Sequence, residues 1–165
     1  VALDVGPPGS ADDLTVYDPS VVVLDGHYRM WYSGQNVSVG RPAIFLATSV
    51  DGENWTKEGL ALPPGPPGSL DEIAFAASVR FADSSYVMVY TGHLVDRSRL
   101  FLAISTDGLR WEKRGLALDI LLPEEGLIGF PNLLVAADRA WFVYYHARPS
   151  LSVSPGLQIY LATHT

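Results

Sequence analysis

Residues 44–62 read IFLATSVDGENWTKEGLAL, and residues 100–118 read LFLAISTDGLRWEKRGLAL. The second stretch repeats the first 56 residues further on, position 44 becoming position 100. Self-similarity at a fixed period marks a repeat architecture, in which each unit buries its apolar faces against its neighbours. The likeness extends upstream. SVVVLDGHYRMWYSG at 20–34 matches SVRFADSSYVMVYTG at 78–92, and a third copy runs from PNLLVAADRAWFVYYHA at 131–147 to LQIYLATHT at 157–165. The joining segments agree too, GPPGSADDLTVYDPS at 6–20 with GPPGSLDEIAFAAS at 65–78.

Each copy divides into strands by period and turn chemistry. Val21 to Leu24 is a continuous apolar run, as expected of a strand buried on both faces. Asp25-Gly26 supplies the positive φ of a tight hairpin, and an aromatic strand from Tyr28 to Tyr32 follows. After a long loop at 34–43 come a third strand, Ile44 to Thr48, a second Asp-Gly hairpin at 51–52, and a fourth strand carrying Trp55. Helical periodicity is not sustained anywhere. Four antiparallel strands in about 55 residues, repeated, predict an all-β, propeller-type protein. The repeats span 14–62, 72–118 and 128–165 of one domain covering 1–165. The count is about eleven strands in about three blades, the last without its outer strand. A closed propeller takes about four to eight blades. The sequence therefore predicts either part of a larger ring or a homo-oligomer that completes one head to tail.

Composition narrows the function classes. The chain has 165 residues, 48% hydrophobic and 18% charged, with 15 Gly and 12 Pro, a globular and turn-rich balance. A net charge of −7 argues against an electrostatic grip on nucleic acid. The absence of cysteine removes thiolate metal sites and cysteine nucleophiles, and leaves a secreted or periplasmic bacterial location open. No apolar run approaches the roughly 20 residues that span a bilayer. The first residues, Val1-Ala2-Leu3-Asp4, carry neither a basic stretch nor an initiator Met and read as the end of a trimmed chain. The four His fall in no H-x-x-x-H or H-x-H pattern, and no phosphate or dinucleotide loop is present, so no metal or cofactor is expected.

In a propeller, the loops entering the first strand and those joining the second and third lie on one face, around the central channel. That topology selects Asp18, Gln35, Asn36 and Arg41 from the first copy. From the second it selects Asp71, Glu72, His93, Asp96, Arg97 and Arg99, and from the third Glu124, Glu125, Phe130, His146 and Arg148. Aromatic side chains beside Arg and His, as in Tyr145-His146-Ala147-Arg148-Pro149, suit a sugar, which takes flat apolar faces and bidentate donors. The substrate-binding expectation falls on Gln35, Arg41, Glu72, His93, Arg97, His146 and Arg148.

YDPSVVVLDGHYRMWYSG followed by LATSVDGENWTKEG resembles the blades of the five-bladed glycosidase propellers, glycoside hydrolase families 43, 32, 68 and 130. The resemblance covers nearly the whole chain. It implies a protein directed at an oligosaccharide or polysaccharide, with acidic residues at the starts of successive inner strands, one as base or nucleophile and one as general acid. Asp18, in Tyr17-Asp18-Pro19, stands where such a catalytic Asp would be. The matching positions hold Ala76 and Phe130, so the resemblance implies an incomplete catalytic set in this chain, with Glu72, Glu124 and Glu125 as loop substitutes. A non-catalytic carbohydrate-binding propeller and an assembling interaction protein are the alternatives. The S-x-D-G-x-x-W phrases at Ser49–Trp55 and Ser105–Trp111 read as turn chemistry: Asp capping, Gly at positive φ, Trp packed between blades.

Overall fold

The computed structural model describes residues 1–38, 40–95, 97–118, 127–137, 139–148 and 157–164. They form eleven strands in three antiparallel sheets. The first sheet orders β1 (Thr15–Leu24), β2 (His27–Gln35), β3 (Ala43–Ser49) and β4 (Thr56–Leu62). The second repeats it with β5 (Ile73–Ala82), β6 (Ser85–Leu94), β7 (Arg97–Ser105) and β8 (Glu112–Leu116). The third holds β9 (Leu127–Val135), β10 (Trp141–Arg148) and β11 (Gln158–His164). These are the propeller blades that the repeat predicts.

The turns form for the expected reasons. Asp25 and Gly26 both have positive φ, 51° and 75°, the requirement of a two-residue type I′ hairpin. Asp83 and Ser84 make the same turn without glycine, at 48° and 60°. In the second hairpin of the first blade, the Ser49 hydroxyl accepts the Gly52 N–H at 2.9 Å, and Asp51 accepts those of Glu53 and Asn54, each at 2.8 Å. Ser105 and Asp107 repeat this network. The N–H groups of Arg110 and Leu109 hold the Asp107 carboxyl down to about 2.

Blade-to-blade contact has an aromatic core and a polar ladder. Trp31 is fully buried against Tyr86 at 5.4 Å and Trp111 at 5.8 Å, and its indole N–H donates to the Gly108 carbonyl at 3.1 Å. Nearer the channel, the Ser20 hydroxyl accepts the N–H of Val79, and Ser78 that of Leu133, both at 2.9 Å. Ser33 accepts the N–H of Ala76, and Thr91 that of Phe130, again at 2.9 Å. All four hydroxyl residues are buried.

The joining segments fold as a repeated node. The Asp12 carboxylate accepts hydrogen bonds from Tyr32 at 2.9 Å, Lys57 at 2.5 Å and Ser10 at 3.1 Å. Asp71 takes the same bonds from Tyr90 at 3.1 Å, Lys113 at 2.7 Å and Ser69 at 2.9 Å. Each node pins the link that enters a blade to the second and fourth strands of that blade. Burial pushes both carboxyls up, but the lysine, tyrosine and serine donors outweigh it and leave both below the ordinary value of 3.8.

A depressed folded-state pKa stabilises above the unfolded value, and the stabilisation is lost as pH falls through the folded one. Chemical unfolding from pH 7 to 2 should show stability falling below about pH 4. Asp71→Asn should lose about 2 kcal/mol at pH 7, less than a fully buried pair because Lys113 is partly exposed, and should flatten the acid limb. Unchanged stability at pH 7 would show that the node contributes nothing.

Candidate functional site

The site is built on a bulge that recurs in every inner strand. In β1, Tyr17 pairs with Ser33 and Ser20 with Trp31, so Asp18 and Pro19 together oppose Tyr32 alone. Ala76-Ala77 oppose Tyr90 in the same way, and Phe130-Pro131 oppose Tyr145. The first residue of each bulge is left-handed: Asp18 at φ 51°, Ala76 at 50° and Phe130 at 53°. An extra residue in a bulge re-aims the side chain next to it. Pro19, Ser20, Ala77, Ser78, Pro131 and Asn132 of the three inner strands line a shared polar hollow, and each left-handed residue immediately precedes its lining pair in the chain.

The row carries three different chemistries. Asp18 has a carboxylate oxygen, Oδ2, that is buried and has no hydrogen-bond partner among the described residues. Its carboxyl is raised above 3.8 by burial alone. Ala76 contributes no functional group. Phe130 is exposed and meets Phe75 edge-on at 5.8 Å and the His146 ring at 5.9 Å. The first blade thus carries a carboxyl with an unpartnered oxygen at the bulge position where the third carries an aromatic ring packed on Phe75 of the second. Arg148 ends the second strand of the third blade, with its Nε buried and no partner for it among the described residues.

The other expected residues take varied places. Arg41 and Glu72 meet each other in a 2.7 Å ion pair that bridges the first and second blades, and Glu72 also accepts the Gly68 N–H at 2.7 Å. Gln35 donates to the Gly40 carbonyl across its own loop at 2.8 Å. His93 Nδ1 and the Ser98 hydroxyl lie 2.8 Å apart across the β6–β7 hairpin, whose next pair is Leu94 with Arg97. Asp96, Glu124 and Glu125 lie outside the described residues. Of the remaining loop acids, Asp12 and Asp71 hold the nodes, and Asp13 accepts the N–H groups of Gly9 and Val37 at 2.7 and 2.8 Å. Sequence reasoning missed Phe75, which precedes Ala76 as Tyr17 precedes Asp18; that alignment was the available signal. Among the described residues, no three His, Asp or Glu side chains gather as a metal site would require.

Repeated four-stranded blades whose inner strands line a shared polar hollow define a propeller-type fold. Residues 11–121 match the glycosyl hydrolases family 32 N-terminal domain. The chain is 30% identical to raffinose invertase of Escherichia coli over 144 residues, covering 79% of this chain and 29% of that protein. It is 34% identical to sucrose-6-phosphate hydrolase of Escherichia coli over 108 residues, 59% of this chain and 22% of that one. Among solved structures, a family 117 glycoside hydrolase of Zobellia galactanivorans superposes with a TM-score of 0.72 at 16% identity, covering 98% of this chain and 57% of the other. A thermostable family-43 glycoside hydrolase gives 0.69 at 18% identity, covering 91% and 48%. The chain belongs to the glycosyl hydrolase family 32 N-terminal domain family and is glycoside-hydrolase-like. It spans less than a third of the length of these curated relatives.

A carboxyl raised by burial binds its proton more tightly in the folded chain, so it costs stability as pH rises through the folded pKa. Asp18→Asn keeps a residue type that tolerates left-handed backbone and removes the charge. It should stabilise the protein at pH 7 by on the order of 1 kcal/mol, with the gain vanishing toward pH 3. A variant less stable than wild type at pH 7 would contradict the unpartnered state of Asp18.

Proposed function

We propose that the channel mouth takes an oligosaccharide, with Asp18 as its acid and Phe75 and Phe130 as the planes against which a sugar ring lies. The observation that carries this reading is the buried, unpartnered Asp18 oxygen, held by a left-handed bulge whose counterpart in the third blade carries Phe130. An unsatisfied buried polar atom costs stability, and such groups concentrate where a ligand will complete them. His146 and Arg148 add polar groups on the third blade, and Gln35, His93 and Arg97 stand at the corresponding strand ends of the first and second. Arg41 and Glu72 bridge the first and second blades through their ion pair.

In the enzymatic form of this reading, Asp18 serves the glycosyl transfer as an acid, a base or a stabiliser of the transition state. A second carboxyl is then needed, because hydrolysis of a glycosidic bond uses two. A second reading, a binding mouth without turnover, is favoured by Ala76 and Phe130, which hold no acid at the two matching bulges. A ring completed by further copies of the chain belongs to either reading, since more blades would enclose the mouth.

Raffinose, sucrose and sucrose 6-phosphate are the natural probes, as they appear in the names of the relatives. Calorimetric binding and release of reducing sugar should be measured for wild type, Asp18→Asn and Phe130→Ala. For the enzyme, Asp18→Asn lowers turnover by about 10²–10⁴-fold while sugar still binds. For the binding mouth, wild type binds without turnover, and Phe130→Ala weakens binding by about five- to tenfold. Neither binding nor release with any of these sugars would reject the reading for this substrate class.

A further inference from the structure

The polar hollow between the inner strands holds a cation that no acid among the described residues pairs with. Arg80, in β5, lines it. At the matching positions of the first and third blades stand Val22 and Leu134, so the blade frame itself does not call for a cation there. Arg80 pairs across its sheet with the buried Val87, which gives its aliphatic stem an apolar seat.

The guanidinium has little to hold. Its Nη1 donates to the Val79 carbonyl at 2.7 Å, and the rest of the fork has no partner among the described residues. Burial alone lowers its pKa, and no carboxylate offsets that cost. Arg41, Lys57 and Lys113, by contrast, are each paired with an acid. Asp18, at the bulge next to the hollow, does not serve: burial alone shifts its carboxyl as well, and no ion pair joins the two. Arg80 belongs to the middle blade, whose inner strand lies between β1 and β9, so its isolation is not a property of an outer face.

The other polar groups of the hollow are donors too. The Ser20 and Ser78 hydroxyls accept the N–H groups of Val79 and Leu133, so each still has its own proton to give. Among the described residues, neither proton has an acceptor. Asn132 adds an exposed side-chain amide. A guanidinium fork, two hydroxyls and an amide, with no carboxylate among the lining residues, complement a compact oxyanion. The fork takes two oxygens side by side, and the remaining donors suit further oxygens of the same group.

We infer that this hollow binds a phosphate or sulfate group, with Arg80 as its anchor and Ser20, Ser78 and Asn132 as supporting donors. A free ion and an ester on a bound sugar present the same chemistry to these donors. The site stands apart from the sugar reading, since none of its groups is needed to hold a neutral ring at Asp18 or Phe130.

Calorimetric titration of the full chain with inorganic phosphate and with sulfate, against chloride at equal ionic strength, tests the site. Wild type should bind either oxyanion more tightly than chloride. Arg80→Met keeps the stem but removes the fork, and should weaken binding by about tenfold or more. Asn132→Ala, at an exposed position, should weaken it by about threefold and keeps the test open if the Arg80 variant does not fold. Arg110→Met, an exposed arginine on an outer hairpin, should bind like wild type. Sucrose 6-phosphate and sucrose separate the two sources. A preference for the ester that Arg80→Met abolishes puts the group on a sugar, and phosphate binding without that preference makes it a free ion. Oxyanion binding no tighter than chloride overturns the inference. So does binding that Arg80→Met and Asn132→Ala both leave intact, or that Arg110→Met weakens as much. A chain that binds phosphate but no sugar keeps this site and loses the sugar reading, and the opposite result does the reverse.

Discussion

The structure turns on one backbone constraint, the left-handed residue at the start of each inner-strand bulge. L-residues other than glycine, asparagine and aspartate enter this region at a cost of roughly 1–2 kcal/mol. Ala76 and Phe130 sit there nonetheless. Their N–H groups are bound by Ser33 and Thr91 of the preceding blade, both fully buried, where losing a partner would cost about as much as the strain itself. The strained conformation and the blade contact therefore hold each other in place. A bulge that relaxed would strand a buried hydroxyl and an N–H, and would turn the side chain away from the channel.

This coupling separates fold from chemistry. On the bulge's side that hydrogen bond uses only the backbone N–H, so the side chain at that position is free to change while the blade stays where it is. One position per blade accordingly carries carboxyl, methyl or phenyl with nearly the same φ. The proposed site is a row of variable side chains on a repeated frame, and the frame says little about turnover.

The features legible in the sequence were those that depend on neighbours along the chain. Asp25-Gly26 forms its turn, and S-x-D-G-x-x-W forms its capped hairpin, from contacts within a few residues. The blade count followed from the same local signals, repeated. The fate of the loop charges did not. Arg41 finds Glu72, Lys57 finds Asp12 and Lys113 finds Asp71 over separations that no local signal encodes, and in sequence Arg41, Glu72 and Asp71 stand among the groups expected at the mouth. The bulge was equally hidden, because Phe-Ala-Ala and Gly-Phe-Pro read as ordinary strand starts, and only the register reveals two residues opposing one.

A chain of net charge −7 has acids to spare, yet those in the described links are engaged in holding the links. What sets Asp18 apart is therefore its position rather than its residue type. Its left-handed backbone excludes most side chains but tolerates aspartate, its N–H is a donor of the kind the neighbouring blades bind, and one of its oxygens lacks a partner. At that one position, the conformational demand of the bulge and the chemical demand of the proposed sugar site select the same residue. At Phe130 they diverge: the backbone is strained for a side chain that gains nothing from left-handed geometry, and the return is an exposed ring set against Phe75 and His146. Strain kept for an exposed aromatic fits the proposed contact with a ligand better than it fits stability, since glycine adopts this conformation without steric cost.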